Sequence, residues 1–124
     1  MSNYKIVSTK NEPRVELKEA LNLSDCELSI NEFGANVSVP FVHSHKQNEE
    51  VYLVLEGGGV LFIDGEEVEV KKGDAIRIDP AGKRCFKTGS NGMKYICIQA
   101  KKDSLEQFTM SDGVINEDVK PSWL

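Results

Sequence analysis

The stretch EVYLVLEGGGVLFIDGEEVEV, from Glu50 to Val70, decides the fold class of this chain. EVYLVLE (Glu50 to Glu56) and VLFI (Val60 to Ile63) are apolar runs rich in residues that favour β-strands. Asp64-Gly65 is typical of a two-residue hairpin turn, because the type I′ turn needs positive φ at both central residues. EEVEV follows as a third strand. We therefore predict consecutive strands here, with Gly57-Gly58-Gly59 as a tight connection between the first two.

The rest of the chain has the same rhythm of short strands and turn residues. Four further runs have strand length and composition: ELSINEF (Glu27 to Phe33), NVSVPFV (Asn36 to Val42), AIRI (Ala75 to Ile78) and MKYICIQA (Met93 to Ala100). Many short strands predict an all-β fold, either a β-sandwich or a barrel. We expect one domain, with an N-terminal segment over residues 1–13, a barrel over residues 14–102 and a C-terminal tail over residues 103–124.

Composition and charge exclude several classes of protein. The 124 residues suffice for one domain with its own core. Fifteen basic and twenty acidic side chains give a net charge of −5, which argues against a nucleic-acid partner or an anionic membrane surface. No apolar run reaches membrane-spanning length, and the first residues lack the apolar core of a signal peptide. Cys26, Cys85 and Cys97 are odd in number and have no paired spacing, so we expect reduced thiols and a cytoplasmic location.

The C-terminal tail differs from the strand region. Ser104 to Gln107 has the pattern of a capping box and predicts one helical turn. A polar segment follows and contains the chain's one tryptophan, Trp123. Two interpretations stay open: a loose tail, or a tail that Trp123 anchors on the barrel or on a partner subunit.

Both histidines of the chain lie in HSHKQNEE, from His43 to Glu50. Residues two apart on a strand point to the same face, so both imidazoles would be directed to one side. That face continues backwards through Val37, Val39 and Phe41. An apolar face that becomes polar at one end is typical of a strand that runs from a barrel interior towards a site at its mouth. The pair is therefore a candidate metal site, since neutral imidazole is the commonest side-chain metal ligand.

A structural or surface pair of histidines is the alternative interpretation. The neighbouring glutamates favour the metal site, because two imidazoles and a carboxylate form a facial triad. The polar turn Lys46-Gln47-Asn48 would return the chain so that one glutamate faces the rings. Only one of Glu49 and Glu50 can do so, because neighbours on a strand face opposite ways.

These residues resemble a motif of the cupin family. His43-x-His45, followed after four residues by Glu50 and after six more by Gly57, is similar to the first cupin motif, and Gly34 lies near its start. GDAIRIDPAGKRC, from Gly73 to Cys85, resembles the second motif, with one extra residue between Gly73 and Pro80. The resemblance implies a double-stranded β-helix, a jelly-roll barrel with a metal inside one mouth.

The resemblance also implies the ligands. It carries over His43, His45 and Glu50 for one divalent transition metal per chain, which could be iron, manganese, nickel or zinc. The second motif usually supplies a further histidine, and Cys85 holds that place here. Cys85 is either a thiolate ligand or a small buried side chain that leaves three protein ligands; we favour the second reading.

Two functions follow from such a site. One is a metal-dependent enzyme on a small molecule, with dioxygenase-like or isomerase-like chemistry open. The other is a non-catalytic metal or small-ligand binding module or sensor; a barrel without metal is a third reading. Candidates to line the pocket are Phe41, Tyr52, Val54 and Arg84, of which Arg84 could hold an anionic substrate.

One further surface predicts self-association. Leu53, Leu55, Leu61 and Ile63 would present large apolar side chains on the face opposite the site, which a monomer rarely leaves bare. Cupins often dimerise by sheet packing, so the resemblance makes a homodimer plausible. We therefore expect a homodimer with a small-molecule ligand or substrate, and neither a nucleic-acid nor a membrane partner.

Overall fold

The computed structural model describes residues 2–124 and confirms the all-β prediction. Within this range the elements in chain order are β1 (Arg14–Glu16), β2 (Glu27–Phe33), β3 (Asn48–Ile63), β4 (Glu66–Lys71), β5 (Ala75–Ile78), β6 (Arg84–Lys101) and α1 (Thr109–Asp112). All strand pairs are antiparallel. The predicted hairpin turn joins β3 to β4, with φ of 48° at Asp64 and 87° at Gly65.

The two long strands, β3 and β6, organise the barrel. The first half of β3 lies between β5 and the second half of β6, which continues to β2 and then β1. The second half of β3 lies between β4 and the first half of β6. Beside that half of β6 runs the irregular segment 37–43, held by the bridges Ser38–Lys87 and His43–Arg84. Two layers that share their central strands form a double-stranded β-helix, the predicted jelly-roll barrel.

The core lies between these two layers. Its buried members are Tyr52, Val54, Leu61, Ile78, Phe86, Met93, Tyr95 and Cys97. Phe86 and Tyr95, from the two halves of β6, pack edge to face with their ring centroids 5.3 Å apart. Polar residues replace this apolar packing towards one end, where Glu50 and Arg84 are buried.

The predicted connection at Gly57-Gly58-Gly59 is wrong, because β3 continues through it as one strand of sixteen residues. The pairing with β6 shifts between Val54 and Glu56 and again between Gly57 and Gly59. Gly57 has a φ of 70°, and an added Cβ there would collide with the backbone carbonyl of Gly92. The glycines therefore allow a bulged strand with close backbone contacts.

The bulge also corrects the predicted outer face. An extra residue in one strand reverses the alternation beyond it, so Tyr52 and Val54 point inward before the bulge and Leu61 points inward after it. Leu61 is buried in the core and Ile63 packs against it. Of the four predicted outer residues only Leu53 and Leu55 lie outside the core, and Leu55 is 39% exposed.

NVSVPFV, predicted as a strand, is an irregular segment with isolated bridges. The bridges pair Ser38 with Lys87 but His43 with Arg84, so two additional residues are accommodated between them. Pro40 lies in this interval and has no N–H to donate to a ladder. The final strand, by contrast, is longer than predicted and begins at Arg84.

The tail after β6 makes little contact with the barrel. The predicted turn at Ser104 to Gln107 is not helical. Among residues 2–124 the one turn of helix is α1, and no side chain caps it. Trp123 is 82% exposed. Between residues 2 and 124 we find no helix with the length and apolar character needed to cross a membrane.

Candidate metal centre

The two histidines are positioned by backbone contacts to neighbouring elements. His43 exchanges two backbone hydrogen bonds with Arg84 at the start of β6, at 3.0 and 2.9 Å. The N–H of His45 donates to the carbonyl of Pro80, 2.8 Å away in the turn between β5 and β6. The imidazole centroids are 5.2 Å apart, with an angle of 82° between the rings. These contacts hold both rings, at residues 43 and 45, on the same side of the barrel wall.

Glu50 enters the same space from β3. It pairs with Ile78 of β5 and Gln99 of β6, so its side chain starts from the centre of a sheet and points inward. The residue is 3% exposed. Potential ligand atoms of His43, His45 and Glu50 all lie within 4.8 Å of one another. The three residues that the first motif implied as ligands are thus together in one place.

Four side chains surround the Glu50 carboxylate. The hydroxyl of Tyr52 donates to Oε1 over 3.1 Å, and the thiol of Cys97 donates to Oε2 over 3.4 Å. Nε of Arg84 lies 3.4 Å from Oε1, and Nε2 of His45 lies 3.4 Å from Oε2. The guanidinium and the imidazole are therefore close to different oxygens of one carboxylate.

Burial and nearby charges set the protonation of the residues in this site. Burial, and next the Glu50 carboxylate, raise the pKa of the Tyr52 hydroxyl far above its ordinary value. The same two causes raise the pKa of the Cys97 thiol to about 12. Both groups therefore keep their protons at neutral pH and remain hydrogen-bond donors to Glu50. Burial, and next the charge of Arg84, lower the pKa of His43, which favours a neutral imidazole.

Several buried nitrogens of this site have no hydrogen-bond partner, and they indicate whether a metal would fit there. Within residues 2–124, four buried side-chain nitrogens make no hydrogen bond: Nδ1 of His43, Nε2 of His45, and Nε and Nη1 of Arg84. Buried polar atoms without a partner are rare in proteins, yet all of these belong to one site. A neutral imidazole offers one lone pair, and two such nitrogens beside a carboxylate oxygen are a suitable donor set for a transition metal. His43, His45 and Glu50 would hold the ion.

The other predicted site residues lie around this group. Phe41 is 59% exposed, and its ring centroid is 5.7 Å from that of His43. Val54 is buried in the core, one inward position beyond Tyr52. Cys85 lies outside the three-residue group and its thiol donates to the carbonyl of Val39 over 3.2 Å.

Arg84 and Cys97 are more central than the sequence indicated. In β6 the inward positions include Phe86 and Thr88, so Arg84 is also inward and Cys85 is not. The inward direction of Arg84 could have been predicted from the sequence, because the apolar Phe86 lies two residues further along the same strand. Cys97 had no such signal, because its contact with Glu50 depends on the pairing of β6 with β3.

Comparisons with known proteins agree with this architecture. The family described as "Cupin domain" matches residues 32–99. A crystal structure of a cupin protein from Bacteroides fragilis is 49% identical, covers 94% of this chain and 99% of its own, and superposes with a TM-score of 0.89. A predicted oxalate decarboxylase from Thermotoga maritima shares the fold at 22% identity, with a TM-score of 0.62 over 71% of this chain and 78% of its own. The uncharacterized protein MJ1618 of Methanocaldococcus jannaschii is 49% identical over 43 residues, which are 35% of this chain and 34% of that protein.

Proposed function

Because the chain belongs to the cupin family, we propose that it binds one divalent transition metal through His43, His45 and Glu50. The bound metal would in turn hold a small molecule, which the protein binds or acts on. The observation that carries the proposal is the group of ligand atoms within 4.8 Å, which includes two imidazoles that each have an unpaired nitrogen. Iron, manganese, nickel and zinc all suit this set of nitrogen and oxygen donors.

The surrounding residues would orient the ligands. Tyr52 and Cys97 each donate to a different oxygen of Glu50 and so restrict how its carboxylate turns. When bound, the metal would supply Lewis-acid chemistry at a carbonyl or at water.

A nearby cavity supports a small-molecule ligand. It has a volume of about 400 Å³ and is lined in part by Arg14, Ser29, Cys97 and Gln99. This volume is within the range of small-molecule sites. Cys97 lines this cavity and also contacts Glu50, whereas His43, His45 and Glu50 themselves do not line it.

A binding module without turnover is the second candidate. Tyr52 and Cys97, the two donors to Glu50, have raised pKa values and stay protonated at neutral pH. Neither is suited to act as a general base there. Of the side chains around Glu50, these two therefore supply no base for turnover.

Elemental analysis tests the proposal. Protein purified without a metal-binding tag should contain about one transition metal per chain. His43→Asn and His45→Asn should lose it, while Glu49→Gln, beside the site but on the other face of β3, should keep it. A wild-type protein that is free of metal and binds added iron, manganese, nickel and zinc only weakly would overturn the proposal.

We also propose that the protein is a cytoplasmic homodimer. The tail presents eight large apolar side chains that are each at least 66% exposed: Leu105, Phe108, Met110, Val114, Ile115, Val119, Trp123 and Leu124. Such a surface in one segment favours burial against a partner, and a second copy is the simplest one. The three free cysteines support a reducing compartment.

A further inference from the structure

Arg84 is a fully buried arginine whose donors are only partly used. Its side chain is 0% exposed. Nη2 donates to the carbonyl of Asp79 over 3.4 Å, while Nε and Nη1 make no hydrogen bond within residues 2–124. The Glu50 carboxylate near Nε balances the charge but does not have hydrogen-bond geometry. Arginine is almost never fully buried without partners, so the two free donors call for an explanation.

A metal ion does not explain the free donors of Arg84. The guanidinium is always charged and has only N–H donors, so it cannot ligate a cation. The unpaired nitrogens of His43 and His45 have the opposite need, since a neutral imidazole there would accept a bond. The site therefore has two imidazole nitrogens that could bind a cation, and beside them two N–H groups of Arg84 that need an oxygen acceptor.

The charges of the site indicate what kind of acceptor this is. Glu50 and Arg84 cancel each other, and an imidazole that ligates a metal is neutral and adds no charge. A divalent ion would bring two uncompensated positive charges into a buried place, which is costly. An anionic ligand with one or two negative charges would offset them and would give Arg84 its acceptor.

From these observations we propose that the ligand of this site is a small carboxylate, whose oxygens bind the metal and the guanidinium of Arg84 together. This inference rests on the proposed metal site. Arg84 then determines specificity: it selects a carboxylate over a neutral compound of the same shape. Charge-assisted hydrogen bonds are stronger than neutral ones, so the guanidinium binds a carboxylate more strongly than a neutral group. Burial of Arg84 increases this difference, because little solvent screens the charges.

The test compares glycolate with its neutral amide, glycolamide, on protein loaded with Co²⁺. Co²⁺ stoichiometry and affinity are measured first, and both compounds are then titrated by calorimetry. Wild type should prefer glycolate. Arg84→Met should hold Co²⁺ at least as tightly, because a nearby positive charge is gone, but should bind glycolate at least about tenfold more weakly. The matched control is Arg77→Met, since Arg77 is 69% exposed and pairs with Asp79; it should bind glycolate like wild type.

The outcomes separate the two proposals. If wild type holds Co²⁺ but does not bind glycolate, or if Arg84→Met binds it as well as wild type, the carboxylate proposal is overturned and the metal site stands. If wild type does not bind Co²⁺, the metal site itself fails and the carboxylate proposal fails with it.

Two measurements keep the test decisive if Arg84→Met does not fold. Arg84→Lys keeps the charge beside Glu50 but loses the Nε–H donor, so it should also bind glycolate more weakly than wild type. In wild-type protein loaded with diamagnetic Zn²⁺, the NMR resonance of the Arg84 Nε–H, assigned by its loss in Arg84→Lys, should shift with glycolate and not with glycolamide. An unchanged resonance at saturating glycolate, or equal affinity in Arg84→Lys, would overturn the proposal.

Discussion

Replacing Glu50 by glutamine tests the centre of the site with the smallest change in shape. The substitution removes one negative charge and leaves the volume nearly unchanged. Glu50 is the one carboxylate within 4.0 Å of the Arg84 guanidinium among the described residues. Glu50→Gln therefore acts twice, since it removes a proposed metal ligand and leaves a buried cation without its counter-charge.

The expected magnitudes follow from the burial of both partners. The side chains of Glu50 and Arg84 are 4% and 0% exposed, so solvent screens the pair little. Removing one partner of such a pair typically costs about 3–5 kcal/mol of stability. Glutamine keeps an oxygen that can accept from Tyr52, so we expect the lower end, about 3 kcal/mol. Metal affinity should fall by at least about tenfold, a loss that even changes around the ligands commonly cause.

Urea denaturation of chelator-treated protein measures the first effect, and a competition titration with a metal indicator measures the second. Glu49→Gln is the matched control, because Glu49 is adjacent in β3 but faces the other way, and both quantities should stay near their wild-type values. The reasoning is refuted if Glu50→Gln changes neither stability nor affinity. A larger effect of Glu49→Gln would show that the inward register of β3 is wrong.

Three further outcomes are expected. Cys85→Ser should lower stability and leave metal affinity unchanged, because the thiol donates to a backbone carbonyl; a sulfur-to-cobalt charge-transfer band that vanishes in this variant would contradict this. In urea denaturation, Gly57→Ala should lower the free energy of unfolding by at least about 2 kcal/mol more than Gly65→Ala does. Both glycines have positive φ, but only at Gly57 does a backbone carbonyl occupy the place of the added Cβ. Equal losses of stability in the two variants would refute this close approach. Light scattering at micromolar concentration should find a homodimer, and a monomer would contradict the role given to the tail.

The local patterns of the sequence were sufficient for most of the fold. ELSINEF forms β2 with the predicted bounds, although its buried residues are the polar Ser29 and Asn31 and not the apolar Leu28 and Ile30. Asp64-Gly65 forms the predicted turn because few other residue pairs adopt positive φ. The resemblance to the first cupin motif implied that His43, His45 and Glu50 lie together, and their potential ligand atoms are within 4.8 Å of one another.

The errors arose where a residue's direction depends on a neighbouring strand. The bulge after Val54 reverses which residues of β3 face inward, and the glycines that permit it resemble those of an ordinary turn. The segment before His43 follows β6 only through isolated bridges, so its apolar alternation does not make a strand. In both places the sequence does have the apolar alternation of a strand, but the pairing with the neighbouring strand decides where each side chain points.

The same dependence explains the different positions of Arg84 and Cys85. The resemblance drew attention to Cys85, yet alternation in β6 directs Arg84 towards Glu50 and Cys85 away from it. A cation at the inward position competes with a metal for the carboxylate, so it lowers metal affinity unless something compensates its charge. An anionic ligand is such a compensation, and metal and ligand would then each strengthen the binding of the other by the same factor. Arg84 would thus strengthen the coupling between metal and ligand beyond what coordination of the ligand to the metal alone would provide.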